Sequence, residues 1–362
     1  NGLPENYRIC EESYDEHESY IKDAQALIEP VLSSQLKSLA KNVNIGGFRI
    51  VVFNPLPWQR TGLVEVTIEG EVPAGLKAVD DDRLVPATFE GQILRFLAAD
   101  IPAMGYRTFV AAAQQSRSDG LAADTNTNTL ESPFFKAQLD PQRGLIASLI
   151  DKRTGRELVE QSAPHGFGQY LYERLGRKNI DDNAREYILP AWHRTHDYGV
   201  LKFDMPDALY ESFTAAAMHC EIRRTPLAVT ALMMASATKV FPQNVSIALT
   251  LYNDLPAADL EVSFEKKPDG WPEACWISLP LAIEAPHYQL GRVGSIIDPT
   301  TDIIDGCNFH MLWLNTGMTV SEGNGPGVGL CAIDNPLVSL GEPGSYRWSL
   351  RYVPEHPRIY FN

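Results

Sequence analysis

Residues 140–158 read Asp140-Pro141-Gln142-Arg143-Gly144-Leu145-Ile146-Ala147-Ser148-Leu149-Ile150-Asp151-Lys152-Arg153-Thr154-Gly155-Arg156-Glu157-Leu158. Gly144 suits a backbone position that a Cβ would strain. The apolar run after it meets Asp151-Lys152-Arg153-Thr154-Gly155, a hairpin turn carrying solvated charges. From residue 130 to the end the pattern repeats, with strands expected at 134–139, 245–252, 260–264, 276–283, 329–333 and 346–353 and little helical periodicity. A β region of about 230 residues is large for one simple sandwich, so two big packed sheets are expected.

Upstream, Phe48, Ile50 and Val52, then Val64, Val66 and Ile68, alternate at period two as half-buried strands do. Ile93, Phe96 and residues 106–110 continue the pattern, so residues 47–113 read as a small β-sandwich. Pro55 and Pro57 force an extended strand end, and Trp58 offers that sandwich a large anchor. Residues 114–129 cluster Ser, Asp, Asn and Thr and read as a linker.

Residues 1–46 read as a helical segment. From Tyr14 on, Ile21, Ala24, Ile28, Val31, Leu32, Leu36 and Leu39 recur every three to four residues. Asp15, Glu16 and Glu18 sit in the first turns and Lys37 and Lys41 in the last, matching the helix dipole. Pro30 removes one backbone donor, so a kink or two abutting helices are expected there. Gly46-Gly47 is the stop signal. One amphipathic stripe is not stable alone and must pack on the β region or on neighbouring helices.

Across 362 residues, 31 basic and 46 acidic side chains leave a net charge of −15. That balance argues against nucleic acid or an anionic membrane as a partner and leaves a neutral sugar open. No stretch approaches the roughly 18 apolar residues of a membrane span. Cys10, Cys220, Cys275, Cys307 and Cys331 are widely spaced with no CxxC, which reads as buried thiols in a reducing compartment. Localisation therefore stays open, with a soluble, cytoplasmic chain favoured. The sequon Asn244-Val245-Ser246 is a chance-level glycosylation signal.

Several clusters carry possible chemistry. His193-Arg194-Thr195-His196-Asp197 has ligands a transition metal accepts, but an i, i+3 histidine pair in a polar loop is more often surface structure. Glycoside hydrolysis needs two carboxyl groups, and Glu157, Glu160, Glu173, Asp181, Asp182 and Asp334 are available; solvated charge is the default for each. In residues 165–173, Tyr170, Tyr172 and Glu173 could contact a sugar, or could lie on a strand whose tyrosines point inward. Trp313, Asp334 and Asn335 are further carbohydrate-contact candidates. No G-x-S-x-G elbow is present, and the glycines of residues 323–327 lack the Lys-Ser/Thr of a phosphate loop.

Four stretches resemble glycoside hydrolase family 38, the α-mannosidases. Val52-Phe53-Asn54-Pro55-Leu56-Pro57-Trp58-Gln59-Arg60 is similar to the "FNPL-W-R" strand opening that family's β half. Ile101-Pro102-Ala103-Met104-Gly105-Tyr106-Arg107 is similar to its "P-x-G-Y" turn. Residues 140–158 resemble the "G-I-x-S-L-x-D-K-x-x-G-R-E-L" hairpin that begins its large sheet domain. Ala332-Ile333-Asp334-Asn335-Pro336-Leu337-Val338 is similar to a "DAPLV" segment of the family's less characterised branch.

The resemblance implies a mainly β chain. The end of a helical domain (1–46) precedes a small sandwich (47–113), a linker (114–129) and a large supersandwich like that of galactose mutarotases (130–362), cut short at its C-terminus. It implies an α-mannosidase-like parent whose nucleophilic Asp and zinc or other divalent metal lie in an upstream catalytic domain. No catalytic or metal-binding residue is then expected in this chain. His17 does not match the family's ligand motif and receives no role. The implied partners are the rest of the same polypeptide and carbohydrate. Two rivals are a stand-alone carbohydrate-binding module and a self-sufficient mutarotase- or lyase-like enzyme. The latter requires His165, Tyr170, Tyr172 and Glu173 to converge in one pocket.

Overall fold

The computed structural model describes residues 4–116, 120–187, 208–239, 241–266, 272–304, 307, 311–323, 325–344 and 356–362. The expected strand at 346–353 and the His193–Asp197 cluster lie outside the described residues. The chain divides into two compact units, Asn1–Asp119 with Thr225–Leu227 and Gly120–Arg224 with Ala228–Asn362.

The first unit opens with α1 (Pro4–Asn42), a single helix of 39 residues. It starts well before the apolar periodicity does, with Pro4 at a first-turn position where a missing N–H costs no bond. Pro30 lies inside α1 without dividing it, which corrects the expectation of two helices. The bond it deletes is to the Ala26 carbonyl, in an exposed turn open to water. At the C-terminal end the Arg49 guanidinium donates to the Ala40 carbonyl at 3.1 and 3.2 Å and to the Ile45 carbonyl at 2.9 Å. A cation therefore sits on the negative end of the helix dipole.

The strands of this unit are β1 (Arg49–Phe53), β2 (Arg60–Thr67), β3 (Gly75–Ala78), β4 (Leu84–Val85), β5 (Ala87–Glu90), β6 (Ile93–Ile101) and β7 (Tyr106–Ala112). They form two antiparallel sheets, β1-β7-β3-β4 and β2-β6-β5. Leu76, Leu94, Phe96 and Phe109 are fully buried in one shared core, where the two phenylalanine rings meet edge to face at 4.9 Å. Trp58 is not the anchor of this sandwich, since 58% of it is exposed. The prolines turn the chain outward after β1, and the buried residue of the motif is Asn54.

The second unit begins with β8 (Ala122–Asp124), β9 (Thr129–Glu131), β10 (Phe135–Asp140), β11 (Leu145–Asp151) and β12 (Arg156–Glu157). These form one sheet in the order β12-β11-β10-β9-β8. The β8–β9 hairpin falls within the polar stretch read as a linker, because Asp124 caps a tight turn there through the Asn126 amide at 2.9 Å. The β11–β12 hairpin turns at Asp151–Gly155 as the sequence indicates. Gly144 has φ +64°, and a Cβ there would meet the Ala215 carbonyl oxygen at 2.2 Å.

Next come β13 (Gln169–Arg174), α2 (Arg177–Tyr187), β14 (Glu211–Thr214), β15 (His219–Arg224), β16 (Ala228–Ala235), β17 (Val245–Tyr252) and β18 (Ala258–Phe264). They are followed by β19 (Glu273–Pro280), β20 (Pro286–Arg292), β21 (Ser295–Ile297) and β22 (Leu312–Trp313). The last are β23 (Gly317–Glu322), β24 (Gly327–Leu330), β25 (Leu337–Leu340) and β26 (Arg358–Phe361). Helix α2 lies in a region read as wholly β; Arg177–Asp181 and Lys178–Asp182 pairs one turn apart support it.

Among the described residues the second unit holds four antiparallel sheets rather than the two expected. Besides the five-stranded sheet they run β14-β13-β19-β26-β25-β22, β15-β16-β17-β18 and β21-β20-β23-β24. Isolated bridges, Ile146 to Phe167 and Val159 to Leu281, tie the five- and six-stranded sheets where regular pairing lapses. A single hydrophobic cluster, including Leu130, Ile146, Val229, Ile247, Leu290 and Val338, runs through all four.

Candidate functional site

The six-stranded sheet carries most of the residues singled out in the sequence, so its two faces decide their roles. Successive side chains of a strand point to opposite faces. On β13, Tyr170 and Tyr172 enter the main hydrophobic cluster, whereas Leu171 joins Ala274, Trp276 and Tyr360 on the other side. Glu173 shares that second face with Trp276, whose Nε1 donates to its Oε2 at 2.7 Å.

The second face is lined with polar groups. Cross-strand pairing places Gln169, Ser278, Tyr360 and Ser339 in one row over β13, β19, β26 and β25. All four are buried, as is Glu173. The Tyr210 hydroxyl donates to Glu173 Oε1 at 2.5 Å, so each carboxylate oxygen has a neutral donor. His165 Nδ1 lies 3.1 Å from the Tyr360 hydroxyl, and the Ser278 hydroxyl donates to the His165 carbonyl at 3.3 Å. Ser339 donates to the Glu342 carbonyl at 2.6 Å, and Gln169 to that of Arg143 at 2.9 Å. Each of these groups has a bonding partner within the protein, side chain or backbone, and together they form a buried polar row.

Burial holds the His165 pKa down and pushes the Tyr360 hydroxyl up to about 12. His165 is therefore neutral in the folded chain at pH 7. The unfolded chain takes up a proton below its ordinary value of 6.5 before the folded chain does. Stability due to this group is complete above that value and is lost as pH falls below it. We expect thermal stability to fall between pH 7 and pH 5.5, and His165→Gln to flatten that slope in paired melting curves; an unchanged slope counts against the assignment.

The opposite face carries a second polar cluster. The Tyr170 hydroxyl lies 2.5 Å from Gln243 Oε1 and 3.0 Å from Cys275 Sγ. The Tyr172 hydroxyl donates to Glu273, whose carboxylate also meets Lys266 Nζ at 2.7 Å and Arg174 Nε at 3.4 Å. Burial raises both tyrosine pKa values and that of the Cys275 thiol, which keeps these groups protonated. Neither tyrosine presents a ring to solvent.

Trp313 lies on β22 opposite Leu337, two residues from Ser339, and so on the same face as Glu173 and Trp276. Unlike them it is 44% exposed. Four strand steps separate β13 from β22, about 19 Å at the usual spacing. Asp334 is exposed and Asn335 half-buried in the turn before β25, where Leu314 N donates to the Pro336 carbonyl at 2.8 Å. Asp334 thus sits toward the Trp313 edge, farther from Glu173 than the roughly 5–9.5 Å that separates a glycosidase's carboxyl pair. Glu173 and Glu273 are near in the sheet but point to opposite faces. The six candidates therefore split into a core pair (Tyr170, Tyr172), a buried carboxylate (Glu173) and an edge group (Trp313, Asp334, Asn335). His165, Tyr170, Tyr172 and Glu173 do not meet in one pocket.

Sequence reasoning missed Trp276, Tyr360 and Tyr210. The signal available for Trp276 is its spacing: it shares one strand face with Ala274 and Ser278, and all three are buried. No group of three His, Cys, Asp or Glu among the described residues is placed to hold a metal ion. No helix among them is long and apolar enough to cross a membrane. The five cysteines form no disulfide.

No protein-family model matches the sequence, and no curated protein matches it significantly. Solved structures do. An α-mannosidase from Enterococcus faecalis V583 is similar over 96% of this chain and 43% of its own, with a TM-score of 0.62 at 10% identity. A protein in the glycosyl hydrolase family 38 from Enterococcus faecalis is similar over 86% of this chain and 40% of its own, with a TM-score of 0.54 at 11% identity. This chain thus spans less than half the length of either, and within that span it has the fold of an α-mannosidase structure.

Proposed function

We propose that this chain is the C-terminal, β-rich part of a glycoside hydrolase resembling α-mannosidases. It buttresses a catalytic domain and walls one side of the cleft. The acid, the nucleophile and a zinc or other divalent metal belong to polypeptide outside this chain. Carbohydrate is the substrate class, and Trp313, Asp334 and Asn335 supply contacts at the rim. Tyr170, Tyr172 and Glu173 act as framework, because their polar atoms are already bonded within the sheet.

The observation that carries this reading is α1. Tyr14, Ile21, Ile28, Leu32 and Leu36 recur on one face of it, and all five are exposed. Each would contribute about 1.5–3 kcal/mol if covered. A solitary helix with this stripe uncovered lacks the packing that stabilises most helices. Similar structures extend over more than twice this chain's length, which supports cover from the remainder of the polypeptide.

Hydrogen exchange of this chain alone tests the point. Amides of residues 8–38 are expected to exchange within about tenfold of an unstructured peptide, while those of β6 and β7 stay protected. Equal protection of α1 and the sandwich strands would remove the need for a covering partner.

A further inference from the structure

β26 lies between β19 and β25 near the centre of the six-stranded sheet and runs antiparallel to both. Arg358, Ile359, Tyr360 and Phe361 pair with Pro280, Leu279, Ser278 and Ile277 on one side. Ile359, Tyr360 and Phe361 pair with Leu340, Ser339 and Val338 on the other. Without β26 the sheet would part into β14-β13-β19 and the short pair β25-β22. Ile359, Tyr360 and Phe361 are buried, Ile359 and Phe361 in the main hydrophobic cluster and Tyr360 with Trp276 on the opposite face.

The segment is held at both ends. Arg358 donates to the Glu160 carboxylate through Nη2 at 2.7 Å and Nε at 3.1 Å, a two-pronged ion pair with both side chains mostly buried. Leu281 N donates to the Pro357 carbonyl at 2.9 Å and Gly341 N to the Arg358 carbonyl at 2.6 Å. Asn362 N donates to the Leu337 carbonyl and its Nδ2 to that of Cys275, both at 3.1 Å. Neighbouring antiparallel strands need a loop of only about two to five residues, whereas 17 residues separate Leu340 from Arg358. The covalent link to β25 therefore does not dictate whose β26 fills the slot. Exchange between identical chains preserves every contact made there, which makes it a low-cost route to a dimer.

We propose that the slot between β19 and β25 accepts β26 of a second copy of this chain, giving a strand-exchanged dimer. Each Arg358 then pairs with Glu160 of the partner subunit. This ion pair is the latch: losing the arginine frees a chain's own strand and leaves its slot ready for an intact one. The exchange needs nothing but this chain, so it holds or fails apart from the mannosidase reading.

A dye-labelled peptide of residues 356–362, incubated with the full chain, reports the open slot, and light scattering reports the dimer. Peptide uptake by Arg358→Ala should exceed that by the unaltered chain about tenfold, because the peptide keeps an arginine that the chain's own strand lacks. Glu160→Gln weakens both competing strands alike and should leave uptake unchanged. Arg358→Lys keeps the charge without the paired bonds and should fall between; it carries the test if the alanine variant unfolds. After a hold in mid-transition urea, Arg358→Ala mixed with the unaltered chain should give a heterodimer whose yield rises with concentration. A chain that stays monomeric at every concentration, or equal uptake by the unaltered chain and both Arg358 variants, overturns the proposal. So does higher uptake by Glu160→Gln than by the Arg358 variants, or equal uptake of a peptide with the same residues in scrambled order.

Discussion

Trp276→Ala is expected to destabilise the second unit by about 3–5 kcal/mol, the cost of emptying a fully buried indole site. Trp276 is the largest fully buried side chain described, at 0% exposure. It packs with Leu171, Ala274 and Tyr360, so its removal leaves a cavity bounded by three strands that cannot collapse independently. The same change takes away one of the two donors to Glu173 and leaves a buried carboxylate short of a partner. Trp276→Phe separates the two effects: it keeps most of the volume and loses only the N–H, for about 1–3 kcal/mol. Because the chain holds two units, urea unfolding should be followed at the second unit's own transition. A loss below about 1 kcal/mol in Trp276→Ala would mean this face is not a packed core.

Much of the fold was legible in local pattern. Residues 245–251 alternate cleanly between bulky and small side chains, and β17 (Val245–Tyr252) occupies those positions. The Asp151–Gly155 turn chemistry located the β11–β12 hairpin, because such a turn is satisfied by its own residues. Residues 4–13 fall within the stretch read as helical, yet they have almost no apolar period and continue α1 by propensity.

What the sequence hid was mostly long-range. Asn54 bonds carbonyls 47 and 48 residues away, so the turning-out of Trp58 depends on contacts absent from its neighbourhood. For β13 the alternation itself was readable. Its consequence was not, because a strand covered on both sides buries Tyr170 and Glu173 alike. Bulk and hydrophobicity reveal burial at a half-exposed strand and say little at a central one. Trp313, on an edge strand, is the candidate for which side-chain type and exposure agree.

The largest effect concerns the reaction. The two central-sheet carboxylates, Glu173 and Glu273, point to opposite faces, and each is already bonded by its neighbours. Asp334 lies near the far edge of the same sheet. No carboxyl pair at glycosidase spacing is assembled from them, and retaining or inverting hydrolysis each requires one. The direct measurement is release of nitrophenol from p-nitrophenyl α-mannoside by this chain alone with zinc added. The account predicts a rate equal to that of buffer with zinc, and turnover only when the remaining polypeptide of the enzyme is present. Turnover by the purified chain that disappears in Glu173→Gln or Asp334→Asn would contradict it.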